Sequence, residues 1–256
     1  MNELYEELRD SLDKKQGVAL ATIVGGPEYI GAKLLVFPNQ TAHGTLGLPE
    51  LDERVRTDAQ GAIWSGSASI SSYTLSGKET QQFDVFIEGF PPPPTLIIVG
   101  AGHIAIPLTT FAKTLNYRVV VIDARAAFAT HERFPNADEL IVEWPDEVLE
   151  KMDLNPSTSV AVLTHDPKFD EPTLKVLLTR QVGYIGAIGS RQTGIERAER
   201  LKKQGLSEEQ LSRIHGPIGL NIGGSEPEEV ALAIMAEIVA VRHNKGQAAI
   251  LSWTKK

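Results

Sequence analysis

The sequence has no cysteine. That absence excludes disulfide frameworks, thiolate metal sites, cysteine nucleophiles and iron–sulfur clusters built from the chain's own side chains. Basic residues are in deficit: 25 against 33 acidic ones leave a formal charge of −8. The balance argues against nonspecific binding to nucleic acid or to an anionic membrane, since both rest on excess Lys and Arg. Also missing is any apolar run near the ~18 residues that a membrane span needs. Neither a Ser-His-Asp arrangement, a His-Glu-x-x-His pair nor a P-loop motif is found.

What is present is the composition of a globular protein: 256 residues, 42% hydrophobic and 23% charged, sized for one large domain or one domain with a smaller companion. The first residues alternate charge with Leu4, Leu8 and Leu12 at helical spacing. They read as an amphipathic helix rather than a signal peptide, which points to the cytoplasm. Pro91-Pro92-Pro93-Pro94 must run extended, and it separates two patterns. Residues 1–90 carry short β-like runs (Val18 to Val24, Ala32 to Phe37, Phe83 to Glu88) between turn signals, with a helical stretch from Pro49 to Ala62. They predict a small α+β domain. In residues 91–256, strand-like runs (Thr95 to Gly100, Arg118 to Asp123, Glu139 to Val142, Ser159 to Thr164, Gly183 to Ile188) alternate with helical ones. That rhythm predicts an α/β, Rossmann-like domain, a parallel sheet with helices on both faces. Capping boxes are expected at Ser207-x-x-Gln210 and Ser225-x-x-Glu228, the second opening a helix that runs to about His243.

The chemistry concentrates where Leu96-Ile97-Ile98-Val99 runs into Gly100-Ala101-Gly102-His103-Ile104-Ala105, a G-x-G-x-x-A turn. Gly100 permits the tight turn off the strand, Gly102 lets an anion approach the backbone, and Ala105 lets helix and strand pack closely. A diphosphate would sit at the positive end of the helix. At the end of the next strand stands Asp123, where Rossmann proteins place an acid on a ribose hydroxyl. The same glycines also serve packing alone. Arg125 has two readings, a phosphate contact or a surface ion pair, and leaves NAD and NADP both open.

Ligands of open parallel sheets lie beyond the carboxyl ends of the strands, which gives weight to His165, Asp166, Gly189, Ser190 and Arg191. Asp170 is read as a helix N-cap. Ser190 is either a cap or, with Gly189 and the Arg191 guanidinium, part of an anion site. Seven basic residues and two acidic ones lie between Leu174 and Gln204; most are expected on a solvated helix face, with Arg191 the one favoured for binding. Glu237, the only charge between Val230 and Val241, is expected on a solvent-facing stripe, and His43 and His103 are read as turn residues.

With these residues in hand, the chain resembles the xanthine dehydrogenase accessory factor family, XdhC/CoxI. The resemblance rests on Pro92-Pro93-Pro94 followed by Leu96 to His103; on Asp123-x-Arg125 with Glu132-Arg133-Phe134-Pro135-x-Ala137-Asp138; and on Thr164-His165. It continues through Tyr184-Ile185-Gly186-x-Ile188-Gly189-Ser190-Arg191, Pro217-Ile218-Gly219-Leu220-x-Ile222-Gly223 and Pro227-Glu228-Glu229 with Ala236-Glu237. Family membership implies a chaperone that binds molybdenum cofactor (molybdopterin) as cargo and shields it. It also implies a sulfurtransferase partner, a molybdenum hydroxylase client, and a homodimer. Gly100, Gly102, His103, Ala105, Asp123, Arg125, His165, Gly189, Ser190 and Arg191 would form the receptor, with no catalytic residue required. The N-terminal domain departs from the family pattern. Glu28 follows Pro27 where members carry Arg, and no Cys follows Gly44-Thr45-Leu46-Gly47, so a cation and the only thiol are gone. The alternatives are an NAD(P)-dependent oxidoreductase with His165 as proton donor, or a regulatory protein with a vestigial Rossmann site.

Overall fold

Four successive prolines can continue neither a helix nor a hydrogen-bonded ladder, and the chain divides there, between Pro92 and Pro93. A computed structural model describes residues 2–76 and 80–243. The first unit comprises α1 (Asn2–Asp13), β1 (Val18–Gly25), β2 (Lys33–Val36), β3 (Ala42–Thr45), α2 (Pro49–Ser65), β4 (Ala68–Ser76) and β5 (Thr80–Phe90). Among the described residues its strands form an antiparallel sheet in the order β3-β2-β1-β5-β4.

Period-2 burial shows why these residues pair. Phe83, Val85, Ile87 and Gly89 of β5 point inward while their neighbours stay partly exposed. Leu51, Val55, Ala59, Ala62 and Ile63 form the buried stripe of α2 that meets them. Gly89 is where helix and sheet come closest, since a Cβ there would lie 1.8 Å from the Ala62 carbonyl oxygen. On the other side of β1, Leu20 joins Leu4, Tyr5 and Leu8 of α1 around a groove of about 640 Å³. His43, expected in a turn, lies within β3.

The second unit begins with β6 (Thr95–Val99), α3 (Ala105–Thr114), β7 (Arg118–Ile122), β8 (Glu139–Ile141), α4 (Pro145–Lys151) and β9 (Thr158–Val162). It continues with α5 (Pro167–Leu178), β10 (Tyr184–Ala187), α6 (Arg191–Lys203), α7 (Glu208–Leu211), β11 (Ile214–His215) and α8 (Pro227–Arg242). All neighbouring strands of its sheet are parallel, in the order β11-β10-β9-β6-β7-β8. Adjacent residues of β6 serve opposite faces. Leu96 and Ile98 pack with α3 and α8, while Ile97 and Val99 pack with α4, α5 and α6. This is the α/β, Rossmann-type arrangement with helices on both faces, preceded by a smaller antiparallel-sheet domain.

Two local expectations shift. The capping box at Ser207 and Gln210 is present, but α8 is opened by Glu226 and Glu229, one residue after the Ser225 pair. Asp170 is not an N-cap: Asp166 holds that position and accepts from the Lys168 N–H, leaving Asp170 buried in the first turn.

Candidate functional site at the switch point

In sequence terms the order of the parallel strands is 3-2-1-4-5-6 read from β8, so the strand order reverses between β6 and β9. Ligands of such sheets lie outside the carboxyl ends at that reversal. The glycine turn leaves β6 at this place. Gly100 adopts φ +103, and a Cβ there would meet Thr164 Cγ2 at 2.9 Å and the Leu163 carbonyl carbon at 3.0 Å. Among the described residues nothing lies within 4 Å of a Cβ on Gly102. The two glycines therefore differ in kind: the first is demanded by the fold, the second leaves open space. Among the described residues no side chain caps the start of α3, which leaves its first backbone N–H groups available there, and His103 is exposed beside them.

Asp123 ends β7 with only 2% exposure. Its Oδ2 accepts from the Ala101 N–H at 2.8 Å and from Arg125 Nη2 at 2.7 Å. Its Oδ1 accepts from the Arg125 N–H and Nε, both at 2.9 Å. A carboxylate offers about four lone-pair sites, and four donors fill them. Burial works against the charge, but the Arg125 side chain and the Ala101 and Arg125 N–H groups outweigh it and hold this carboxyl below its ordinary range. The Arg125 guanidinium lies 4.5 Å from the Phe128 ring centroid. A ribose diol approaching Asp123 would compete with the chain's own donors.

Farther along the carboxyl edge, Ile104, His165, Ile188, Gly189, Ser190, Thr193, Arg197, Ile218 and Val230 line a cavity of about 480 Å³. His165, Gly189 and Ser190 thus share one wall system, whereas Gly100, Gly102, His103, Ala105, Asp123, Arg125 and Arg191 do not line it. His165 is exposed and takes φ +59, an uncommon conformation for a residue with a Cβ. Ser190 caps α6, accepting from the Thr193 N–H at 3.1 Å. Arg191 is exposed.

The buried cation is instead Arg197, 5% exposed. Its Nη2 donates to Asp170 Oδ2 at 3.1 Å and to the Ile188 carbonyl at 2.7 Å. Burial is the largest influence on Asp170 and pushes its carboxyl up, against the opposing effects of the Thr164 hydroxyl and of Arg197. Most of the basic residues between Leu174 and Gln204 are expected on a solvated face, and Arg197 departs from that expectation. The signal against that was helical spacing: Arg197 stands four residues before Leu201, the buried apolar anchor of α6.

Glu237 also differs from expectation. It is 4% exposed, accepts from the Tyr184 hydroxyl and from the Gly219 N–H at 2.8 Å, and lies 3.5 Å from His215 Nδ1. Burial alone would raise its pKa. The hydrogen bonds from His215, Tyr184 and Gly219 prevail and hold it below the usual range. The apolar residues at i−4, i−3 and i+4 (Ala233, Ile234, Val241) were the available clue. This cluster ties α8 to the segment that carries Ile218 into the cavity wall. No group of three or more metal-ligating side chains occurs among the described residues.

The family model of the XdhC Rossmann domain matches residues 96–238, over half of the 256 residues. The chain belongs to the XdhC/CoxI family. The XdhC and CoxI family model also matches residues 11–74. The chain is 34% identical over 162 residues to a Bacillus subtilis (strain 168) protein named as a probable component of xanthine dehydrogenase, covering 63% of this chain and 47% of that one. It is 25% identical over 173 residues to the Escherichia coli (strain K12) molybdenum cofactor insertion chaperone PaoD, with 68% and 47% covered. It is also 26% identical over 238 residues to uncharacterized protein YqeB of the same strain, with 88% and 44% covered. The chain thus spans about half the length of the curated relatives it matches. Its fold is that of a Bacillus halodurans protein described as a xanthine dehydrogenase, at TM-score 0.54 and 23% identity over 95% of this chain and 96% of that one. Among the described residues no helix is long and apolar enough to cross a membrane.

Proposed function

We propose that this XdhC/CoxI chain is a carrier of the molybdenum cofactor. It would protect the cofactor in the cytoplasm and deliver it to a xanthine dehydrogenase-type molybdenum hydroxylase, acting as a homodimer with a sulfurtransferase partner. The observation that carries the reading is the cavity of about 480 Å³ at the sheet's carboxyl edge. It combines isoleucine walls, suited to a flat heterocycle, with a buried guanidinium, suited to a phosphate. The name of the PaoD relative, 25% identical over 68% of this chain, supports the same reading. Asp123 weighs against the NAD(P) oxidoreductase alternative, because its acceptor sites are filled by Arg125 and Ala101. The Arg and Cys that family members carry in the N-terminal domain are absent here, so the reading assigns the cargo to the Rossmann domain.

The test is mass-spectrometric and absorbance analysis of ligand retained by protein purified anaerobically from cells that make molybdopterin, alongside titration with NAD and NADP. Retained pterin with weak nucleotide binding is the expected result. Nucleotide binding without pterin would overturn the carrier and favour an oxidoreductase or sensor.

A further inference from the structure

Buried arginines ordinarily spend all their donors, since a charged donor without an acceptor in the interior is costly. Arg197 does not. Among the described residues only its Nη2 donates hydrogen bonds, to Asp170 and the Ile188 carbonyl, while Nε and Nη1 have no acceptor. Neither nitrogen is sealed in protein: among the described residues the buried polar side-chain atoms without partners are Tyr117 Oη and Thr173 Oγ1, and Arg197 lines the cavity. A side chain 95% removed from solvent thus lines a cavity of about 480 Å³ while two of its nitrogens have no acceptor among the described residues.

A second donor set starts at the same wall. α6 runs for 13 residues from Arg191, directly after the cavity-lining Gly189 and Ser190. Ser190 caps the Thr193 N–H, while the Arg191 and Gln192 N–H groups have no acceptor among the described residues. These lie at the positive end of the helix dipole. The opposing group is Asp170, 3.1 Å from Arg197 Nη2, whose carboxyl burial pushes up against the effects of the Thr164 hydroxyl and of Arg197. The other walls, Ile104, Ile188, Ile218 and Val230, are apolar.

We propose that this cavity is a phosphate receptor in which Arg197 and the first turn of α6 hold the phosphate of a phosphorylated heterocycle whose ring packs against the isoleucine walls. It shares Ile104 with the glycine turn but is lined by neither Gly100 nor Gly102. The phosphate assignment stands on Arg197 and α6 alone; only the identity of the ring as a pterin rests on the carrier reading.

The experiment titrates inorganic phosphate into the full chain and follows backbone amide shifts by NMR. The wild type is compared with Arg197→Lys, which keeps the charge beside Asp170, and with the double variant Arg197→Gln/Asp170→Asn, which removes both charges at once. Thermal melts check that each variant is folded. Saturable shifts at Gly189, Ser190, Thr193 and Gly194 are expected in the wild type. Affinity should fall about tenfold or more in both variants, the scale of a lost charge-assisted hydrogen bond. Absence of saturable binding, shifts confined to residues 100–105, or unchanged affinity in a folded variant would each overturn the assignment. Pterin retention on anaerobic purification separates the two readings. Pterin retained equally by wild type and double variant sinks this receptor and spares the carrier. Phosphate bound by the wild type alone, with no pterin retained by any form, does the reverse.

Discussion

Gly100 and Gly102 stand two residues apart in one motif, yet the structure gives their replacements opposite consequences. At Gly100 the backbone sits at φ +103 and a new Cβ would press on Thr164 Cγ2 and the Leu163 carbonyl carbon at 2.9–3.0 Å. The left-handed conformation costs about 1–2 kcal/mol for a residue with a Cβ. Crowding of a packed site adds about 1–3 kcal/mol. Gly100→Ala should therefore destabilise the protein by about 2–5 kcal/mol, lowering Tm by roughly 4–20 °C for a domain of this size. Gly102 has an ordinary φ and open space around its missing Cβ. Gly102→Val should keep stability within about 1 kcal/mol of wild type while blocking the approach of an anion to the backbone. Thermal melts by circular dichroism measure the first effect, and ligand retained on anaerobic purification measures the second. A Gly100→Ala protein as stable as wild type, or a Gly102→Val protein that melts like Gly100→Ala, would refute the packing argument. Unchanged affinity of Gly102→Val for every ligand the wild type binds would remove the turn from the receptor and leave the cavity at α6 as the remaining site.

Gly89→Ala would drive a Cβ to within 1.8 Å of the Ala62 carbonyl oxygen. It should cost about 3 kcal/mol or more, read as a lowered urea midpoint, and an unchanged midpoint would contradict the close approach of α2 and β5. Glu237→Gln should cost about 1–3 kcal/mol, because it weakens the bonds from Tyr184, His215 and Gly219 around a buried acceptor. Its folded pKa is depressed, so the stability that Glu237 contributes is present above its unfolded pKa of 4.5 and fades as pH falls through the folded value. Urea midpoints between pH 3 and 7 should fall less steeply on the acid side in Glu237→Gln, and parallel curves would exclude the linkage. Tyr184 titrates the other way. Burial and the Glu237 charge raise it well above 10.0, so its contribution is held below that pH and lost above it, and Tyr184→Phe should flatten the alkaline limb of the same curve.

Much of the second domain was legible because its signals are local. A strand, a glycine turn, a helix and a terminal acid follow one another in sequence, and each run of apolar residues became the strand it predicted within a residue or two at either end. β3, β4 and β11 left weaker traces. β4, with Ser at four of nine positions, is mostly exposed, and β11 is two residues long. What was least legible is charge. Asp170, Arg197 and Glu237 look like surface residues by composition, since charged groups are rarely buried unless paired. Their partners lie 27 residues away for Asp170 and Arg197, and 53 for Tyr184 and Glu237. No periodicity within one helix reports a partner on another element.

Two of the acid–arginine pairs, Asp123 with Arg125 and Asp170 with Arg197, are built differently. Asp123 and Arg125 are neighbours in sequence, and a turn of two residues lets one side chain and one N–H close on the carboxylate from within. Such a pair is complete before any ligand arrives, and it occupies the place where a ribose would bind. Asp170 and Arg197 come from different helices, and their geometry uses a single guanidinium nitrogen. The others have no acceptor among the described residues. On the proposed reading, a domain that closes its ribose acid and keeps a buried guanidinium one strand past the switch point is arranged to grip an anion rather than a sugar. Holding a phosphorylated cargo needs that arrangement, and a hydride transfer site does not.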